Sequence, residues 1–167
     1  MRDRPSSSAA SALCGRLARA ALLSVTLVAA ACRPFVPATP PGFVELEDRY
    51  GRSEYRATTA DGVVLGIRAF DNEPKGERAF WVRALENRMR DMGGYALLEK
   101  REVKDRAGLT GTQLRFGHDV GDEPYLYYLT IFVTDDRVYI LEAGGARPQM
   151  QRLAEQIDWS VRNFLHR

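Results

Sequence analysis

The segment Tyr125-Leu126-Tyr127-Tyr128-Leu129-Thr130-Ile131-Phe132-Val133 decides the fold. It is apolar or aromatic on both of its alternating faces, and its β-branched and aromatic side chains suit a pleated surface. A strand of this composition belongs in the middle of a sheet with both faces covered. Burying each such side chain stabilises by about 1.5–3 kcal/mol, so the segment supplies a large part of a core without any appeal to function. Asp135-Asp136 then reads as a tight turn, and residues 137–142 as a strand returning beside the first.

Upstream, residues 43–47, 54–59 and 62–70 have strand composition, and Asp61-Gly62 reads as a two-residue hairpin turn between the last two. From Glu77 the period changes. Phe80, Trp81, Ala84, Leu85, Met89 and Met92 recur at helical spacing, and Gly93-Gly94 closes that helix. Residues 95–104 and 111–117 are strands again. Downstream, Gly144-Gly145 is expected to break the sheet. Pro148 then opens a second helix with Met150, Leu153, Ala154, Ile157, Val161 and Phe164 on one face. Three strands, a helix, four strands and a helix predict an α+β domain over residues 43–167, with helices packed on an antiparallel sheet of about seven strands.

The chain has 167 residues, 45% apolar and 28% charged, as in an ordinary single globular domain. Its formal charge of +2 comes from the leader, where Arg2, Arg4, Arg16 and Arg19 face only Asp3. Without residues 1–31 there remain 20 basic and 21 acidic residues, which excludes the electrostatic footprint of a nucleic-acid binder. The basic stretch is followed by an uncharged apolar run, residues 20–31, too short to span a bilayer as a helix and suited to a cleaved export signal.

Ala29-Ala30-Ala31-Cys32 resembles a bacterial lipobox, with Ala29 where Leu is usual. The resemblance implies cleavage between Ala31 and Cys32 and a membrane anchor through lipid on Cys32; an ordinary small-residue cleavage site with Cys32 as a bystander is the alternative. Cys14 lies in the leader after Leu13, with no apolar run before it, so the folded part is expected to hold no disulfide. Arg33 after the cysteine lacks the aspartate that favours inner-membrane retention, so the outer membrane facing the periplasm is expected. Residues 32–42 carry four prolines and read as an extended tether, of reach roughly 30 Å, rather than a proline-rich recognition motif.

Pro40-Pro41-Gly42-Phe43 before the early hairpins, the helix around Phe80-Trp81, the strand Arg137-Val138-Tyr139-Ile140-Leu141-Glu142 and the closing Trp159-Ser160-Val161-Arg162-Asn163-Phe164 resemble the Mog1/PsbP/DcrB-like fold. The resemblance covers nearly all of residues 43–167. It implies a binding or accessory protein, because most members are of that kind and bacterial ones are often lipoproteins or periplasmic proteins. It carries no functional residue onto this chain.

Catalytic motifs are missing. The histidines are His118 and His166; there is no GxSxG elbow, and Cys32 is the one thiol left after processing. Gly93-Gly94 and Gly144-Gly145 lack the context of a phosphate-binding loop. His118-Asp119-Val120-Gly121-Asp122-Glu123 is the densest polar cluster. It reads as a solvated loop between strands, with a divalent-cation site as the alternative, although its spacing matches no calcium loop. Asp135-Asp136 reads as a turn rather than a catalytic pair. Trp159 and the tyrosines read as core in preference to a sugar or peptide groove.

The sequence therefore points to a non-catalytic envelope module with a protein partner and no cofactor or metal. The competing reading is an envelope hydrolase using His118 and nearby carboxylates.

Overall fold

The computed structural model describes residues 33–47 and 54–167. Ala31 and Cys32, and with them the leader, lie outside the described residues. Arg33–Arg167 forms one compact unit that contains every described element and both hydrophobic clusters.

The strands are β1 (Phe35–Val36), β2 (Val44–Leu46), β3 (Tyr55–Thr58), β4 (Val64–Asp71), β5 (Ala96–Lys104), β6 (Thr110–Val120), β7 (Glu123–Val133), β8 (Arg137–Ala146) and β9 (Leu165–His166). The helices are α1 (Arg78–Gly93), α2 (Arg147–Arg152) and α3 (Ala154–Asn163). Strands β2 to β8 form one seven-stranded antiparallel sheet in the order β2-β3-β4-β8-β7-β6-β5. The decisive segment lies in β7, between β8 and β6, and both its faces are covered.

On one face, Leu129 and Ile131 of β7 join Leu114, Phe116, Val138 and Ile140 beneath Val82 of α1. On the other, Leu126, Tyr128 and Phe132 join Tyr139 and Leu141 beneath Met150, Ile157, Val161 and Phe164. Each face is thus roofed by its own helical layer, with period 2 in the sheet meeting period 3.6 in the helices. Helix α1 ends at Gly94, whose φ of 65° lets its N–H reach back to the Met89 carbonyl. Of the expected stripe on α1, Phe80 and Met92 are exposed at 51% and 82%, and Val82 takes the innermost position instead.

Four local expectations need correction. The β3–β4 turn is a three-residue loop, residues 60–62. Thr59 N–H bonds the Val63 carbonyl and Gly62, at φ 84°, bonds Thr59, so the left-handed glycine closes a turn-plus-bulge hairpin. Gly144 and Gly145 do not break the sheet but continue β8, opposite Tyr127 and Leu126. A Cβ would stand 3.1 Å from the Tyr127 ring at Gly144 and 3.0 Å from Val63 at Gly145. The missing side chains therefore let neighbouring strands approach. The second helix is two, α2 and α3, parted at Leu153 with φ −101° and ψ 11°.

The fourth correction concerns residues 32–42. From Arg33 on this segment is docked on the domain, not held away from it as a tether. β1 pairs with the C-terminal β9, and Phe35, 1% exposed, lies 5.7 Å from the ring of Phe164. The Ala38 carbonyl accepts from Ser160, and Thr39 bonds Tyr55. Prolines exclude helix but do not exclude an edge pairing two residues long, and an apolar ring among them has a core to enter.

Candidate functional site

Helix α1 packs mainly over β5, β6 and β7, and on the side of β4 and β8 it presents Trp81, whose ring meets Phe70 of β4. A groove of about 300 Å³ opens there between α1 and the sheet. From the helix come Trp81, Leu85, Arg88 and Met89, spaced so that all four lie on one helical face. From the sheet come Phe70, Leu129 and Ile140 as floor, with Arg68, Tyr127 and Glu142 at one end.

The walls are fixed by interactions outside the groove. The Trp81 indole N–H donates to Asn72 Oδ1 at 2.8 Å, and its ring meets Phe70 edge-on at 5.4 Å. Asn72 is 3% exposed; its amide donates to the Gly76 and Thr134 carbonyls while its oxygen also accepts from Gly76 N–H. Every polar atom at that end is therefore satisfied, and the groove there presents hydrocarbon and ring. At the other end Arg68 bridges to Glu142 at 2.7 Å. Burial, reinforced by the Glu142 carboxylate, raises the ionisation of the Tyr127 phenol far above the ordinary tyrosine range, so it stays a neutral hydroxyl. Tyr127 also leads out of the groove to Tyr95, 5.6 Å away, which packs on His118 at 4.7 Å.

The expected polar loop is differently built. His118 and Asp119 are within β6, Glu123 within β7, and the turn itself is Gly121-Asp122. Successive strand residues point to opposite faces, so His118 lies on the α1 side beside Tyr95 while Asp119 points away from it. The nearest polar partner of His118 is the Gly94 carbonyl at 3.4 Å. Among the described residues no group of three or more His, Cys, Asp or Glu is placed to hold a metal ion. Asp135 and Asp136 are exposed in the β7–β8 turn.

Trp159, 40% exposed, lies on α3 and lines no part of the groove; Tyr55, Tyr128 and Tyr139 are core. His166 is bonded to Asp105, whose carboxylate is fully buried and also accepts from the Ala107 and Leu109 N–H groups, so the pair ties the C-terminus to a loop.

Two other polar features are structural. Arg101 and Arg115 share Asp158 of α3, both also donate to Gln113, and Arg115 lies 4.5 Å over the Tyr128 ring. The mutual pairing leaves little there to recognise a ligand. A cavity beneath α3, between Tyr128 and Ile157, has room for about 10 Å³, at most one water. Neither competes with the groove.

Sequence reasoning did not find the groove residues Arg68, Arg88, Tyr127 and Glu142. Their convergence depends on three strands and a helix meeting, and Arg68 and Glu142 are far apart in the chain. The one available signal was a charge within an otherwise apolar strand.

No family model and no curated protein sequence matches the chain. Solved structures do. LpqN of Mycobacterium tuberculosis, described as involved in cell envelope biogenesis, superposes with a TM-score of 0.64 at 10% identity, over 78% of this chain and 82% of that one. Cyanobacterial PsbP from Synechocystis gives 0.56 at 11% identity, over 80% and 87%. The Ran-binding protein Mog1p of Saccharomyces cerevisiae gives 0.52 at 8%, over 75% and 79%. At these identities the likeness establishes the Mog1/PsbP-like fold and leaves function to be argued from the site.

Proposed function

We propose that this chain is a non-catalytic binding or accessory module of the bacterial cell envelope, released from its signal after Ala31 and anchored by lipid on Cys32. The observation that carries the reading is the groove beside α1. It is a largely apolar recess with a few polar groups at one end, the usual make-up of a binding site, and the carboxylate there, Glu142, is held in an ion pair with Arg68. A general base needs to stand within hydrogen-bond reach of an orienting partner. His118, the obvious candidate, meets a backbone carbonyl instead.

Further support comes from fold and sequence together. LpqN, which shares the fold, is described as acting in envelope biogenesis. The leader ends in a lipobox-like Ala29-Ala30-Ala31-Cys32, and Arg33 follows it, consistent with sorting to the outer membrane. No helix among the described residues is long and apolar enough to cross a membrane, so a lipid on Cys32 would supply the anchor. The partner expected is another envelope protein.

Complementation of a deletion strain tests the reading. Replacing His118, Asp119, Asp122 and Glu123 together by Ala or Asn should leave complementation intact, whereas Cys32→Ala should block fatty-acid labelling and impair complementation. Failure of the fourfold variant, folded and correctly localised, would transfer the function to an active or metal-binding site at that hairpin. Fatty-acid labelling that persists in Cys32→Ala would end the lipoprotein assignment.

A further inference from the structure

Polarity is segregated along the groove. In the β4–β8 register Phe70 lies opposite Val138, Arg68 opposite Ile140 and Gly66 opposite Glu142. One end is therefore lined by Phe70 and Trp81, with the indole N–H already engaged by Asn72. The other end gathers Arg68, Glu142 and the neutral Tyr127 hydroxyl. Arg88 adds a second cation from α1. On that helix Glu86 pairs with Arg90 and Lys100, Asp91 three residues on makes no ion pair with Arg88, and Arg88 has no ion-pair partner among the described residues. Two guanidiniums against one carboxylate leave the polar end with net positive charge. Arg56, opposite Gly66 in β3, places a further cation on the same face of the sheet.

The groove floor belongs to interior strands whose backbone groups are paired within the sheet, so a peptide cannot bind here by adding a strand. What remains is a side-chain site with a hydrocarbon end and a cationic end. A volume of about 300 Å³ is at the small end of ligand pockets, which suits one chain and not two.

We propose that the groove binds a monoacyl lipid with an anionic headgroup, its chain against Phe70, Trp81 and Leu85 and its carboxylate or phosphate on Arg68 and Arg88. A planar guanidinium pairs with either anion through two parallel N–H groups. The inference rests on the reading of the chain as a binding module and names that module's ligand class.

The chain has two tryptophans, Trp81 in the groove and Trp159 on α3 over the opposite face of the sheet, and this makes a direct assay possible. The unit Arg33–Arg167 carrying Trp159→Phe is titrated with 11-bromoundecanoic acid below its micelle concentration, with Trp81 emission as the readout. Saturable quenching is expected, and it should weaken about tenfold or more with the uncharged 11-bromoundecanol or in an Arg68→Ala, Arg88→Ala background.

Leu85→Phe with Met89→Phe should fill the groove and remove the quenching at an unchanged melting temperature. If that variant does not fold, the arginine pair, on the solvent side, still decides the matter. Quenching that rises linearly without saturating, or equal affinity for acid and alcohol, overturns the proposal. In either case, Cys32-dependent complementation that is indifferent to the His118 hairpin would leave the accessory-module reading standing, so the two can fail separately.

Discussion

Phe35→Ala tests whether the proline-rich segment belongs to the fold. A tether predicts no measurable effect, since substitutions away from packed features usually stay within about 0.5 kcal/mol. In the structure Phe35 is 1% exposed and packs on Phe164, which in turn stacks on Phe132 at 5.5 Å and meets Tyr139 at 5.7 Å. Truncating a buried phenylalanine removes its transfer free energy and leaves a cavity, together about 3–5 kcal/mol. For a domain of this size each kcal/mol moves Tm by roughly 3–5 °C, so a fall of roughly 10–20 °C is expected.

Urea unfolding of Arg33–Arg167 followed by circular dichroism measures the loss directly, with an unchanged m-value showing that only stability has altered. A chain that begins at Pro40 should lose at least as much. It also lacks the β1–β9 pairing and the Ala38 carbonyl that satisfies Ser160, itself 5% exposed. A Phe35→Ala loss below about 1 kcal/mol would refute the reasoning, because no relaxation of the core accommodates so large a deletion that cheaply.

Asp158→Ala leaves the Arg101 and Arg115 guanidiniums without their shared carboxylate on a partly buried face. It should cost about 2–4 kcal/mol in urea unfolding, and a loss under 0.5 kcal/mol would show the network to be ornamental. Burial raises the phenol pKa of Tyr127, Tyr55 and Tyr139. A folded pKa above the unfolded value near 10 means stability fully present below about pH 10 and lost as pH rises beyond it. Stability should therefore fall above about pH 10, less so in Tyr127→Phe, and ultraviolet titration should show tyrosinate from these side chains only on unfolding. Since no metal-ligating cluster exists among the described residues, chelator should leave Tm unchanged; a drop of several degrees would revive a metal at the His118 hairpin.

Much of the architecture was legible because it is written in local periods. The apolar run from Tyr125 to Val133 required a doubly covered strand, the helical spacing from Phe80 to Met92 required a helix, and Asp135-Asp136 required a turn; each element is where expected, although Phe80 and Met92 are exposed on that helix. Those readings need only the backbone period and the preference of apolar surface for burial, properties of neighbouring residues. The sequence likewise contains no GxSxG, GxGxxG or GxxxxGK(S/T) pattern. Tertiary structure decided the rest. Gly144-Gly145 could stop a strand or let two strands close in, and only the approach of Tyr127 and Val63 selects the second. Phe35 among prolines could be solvated or buried, and the cavity that receives it is made by Phe164 from the far end of the chain. The groove is the extreme case: Arg68, Arg88, Tyr127 and Glu142 come from four separate elements, and what joins them is the line along which α1 lies beside β4, β7 and β8, which is a property of packing and not of any stretch of residues.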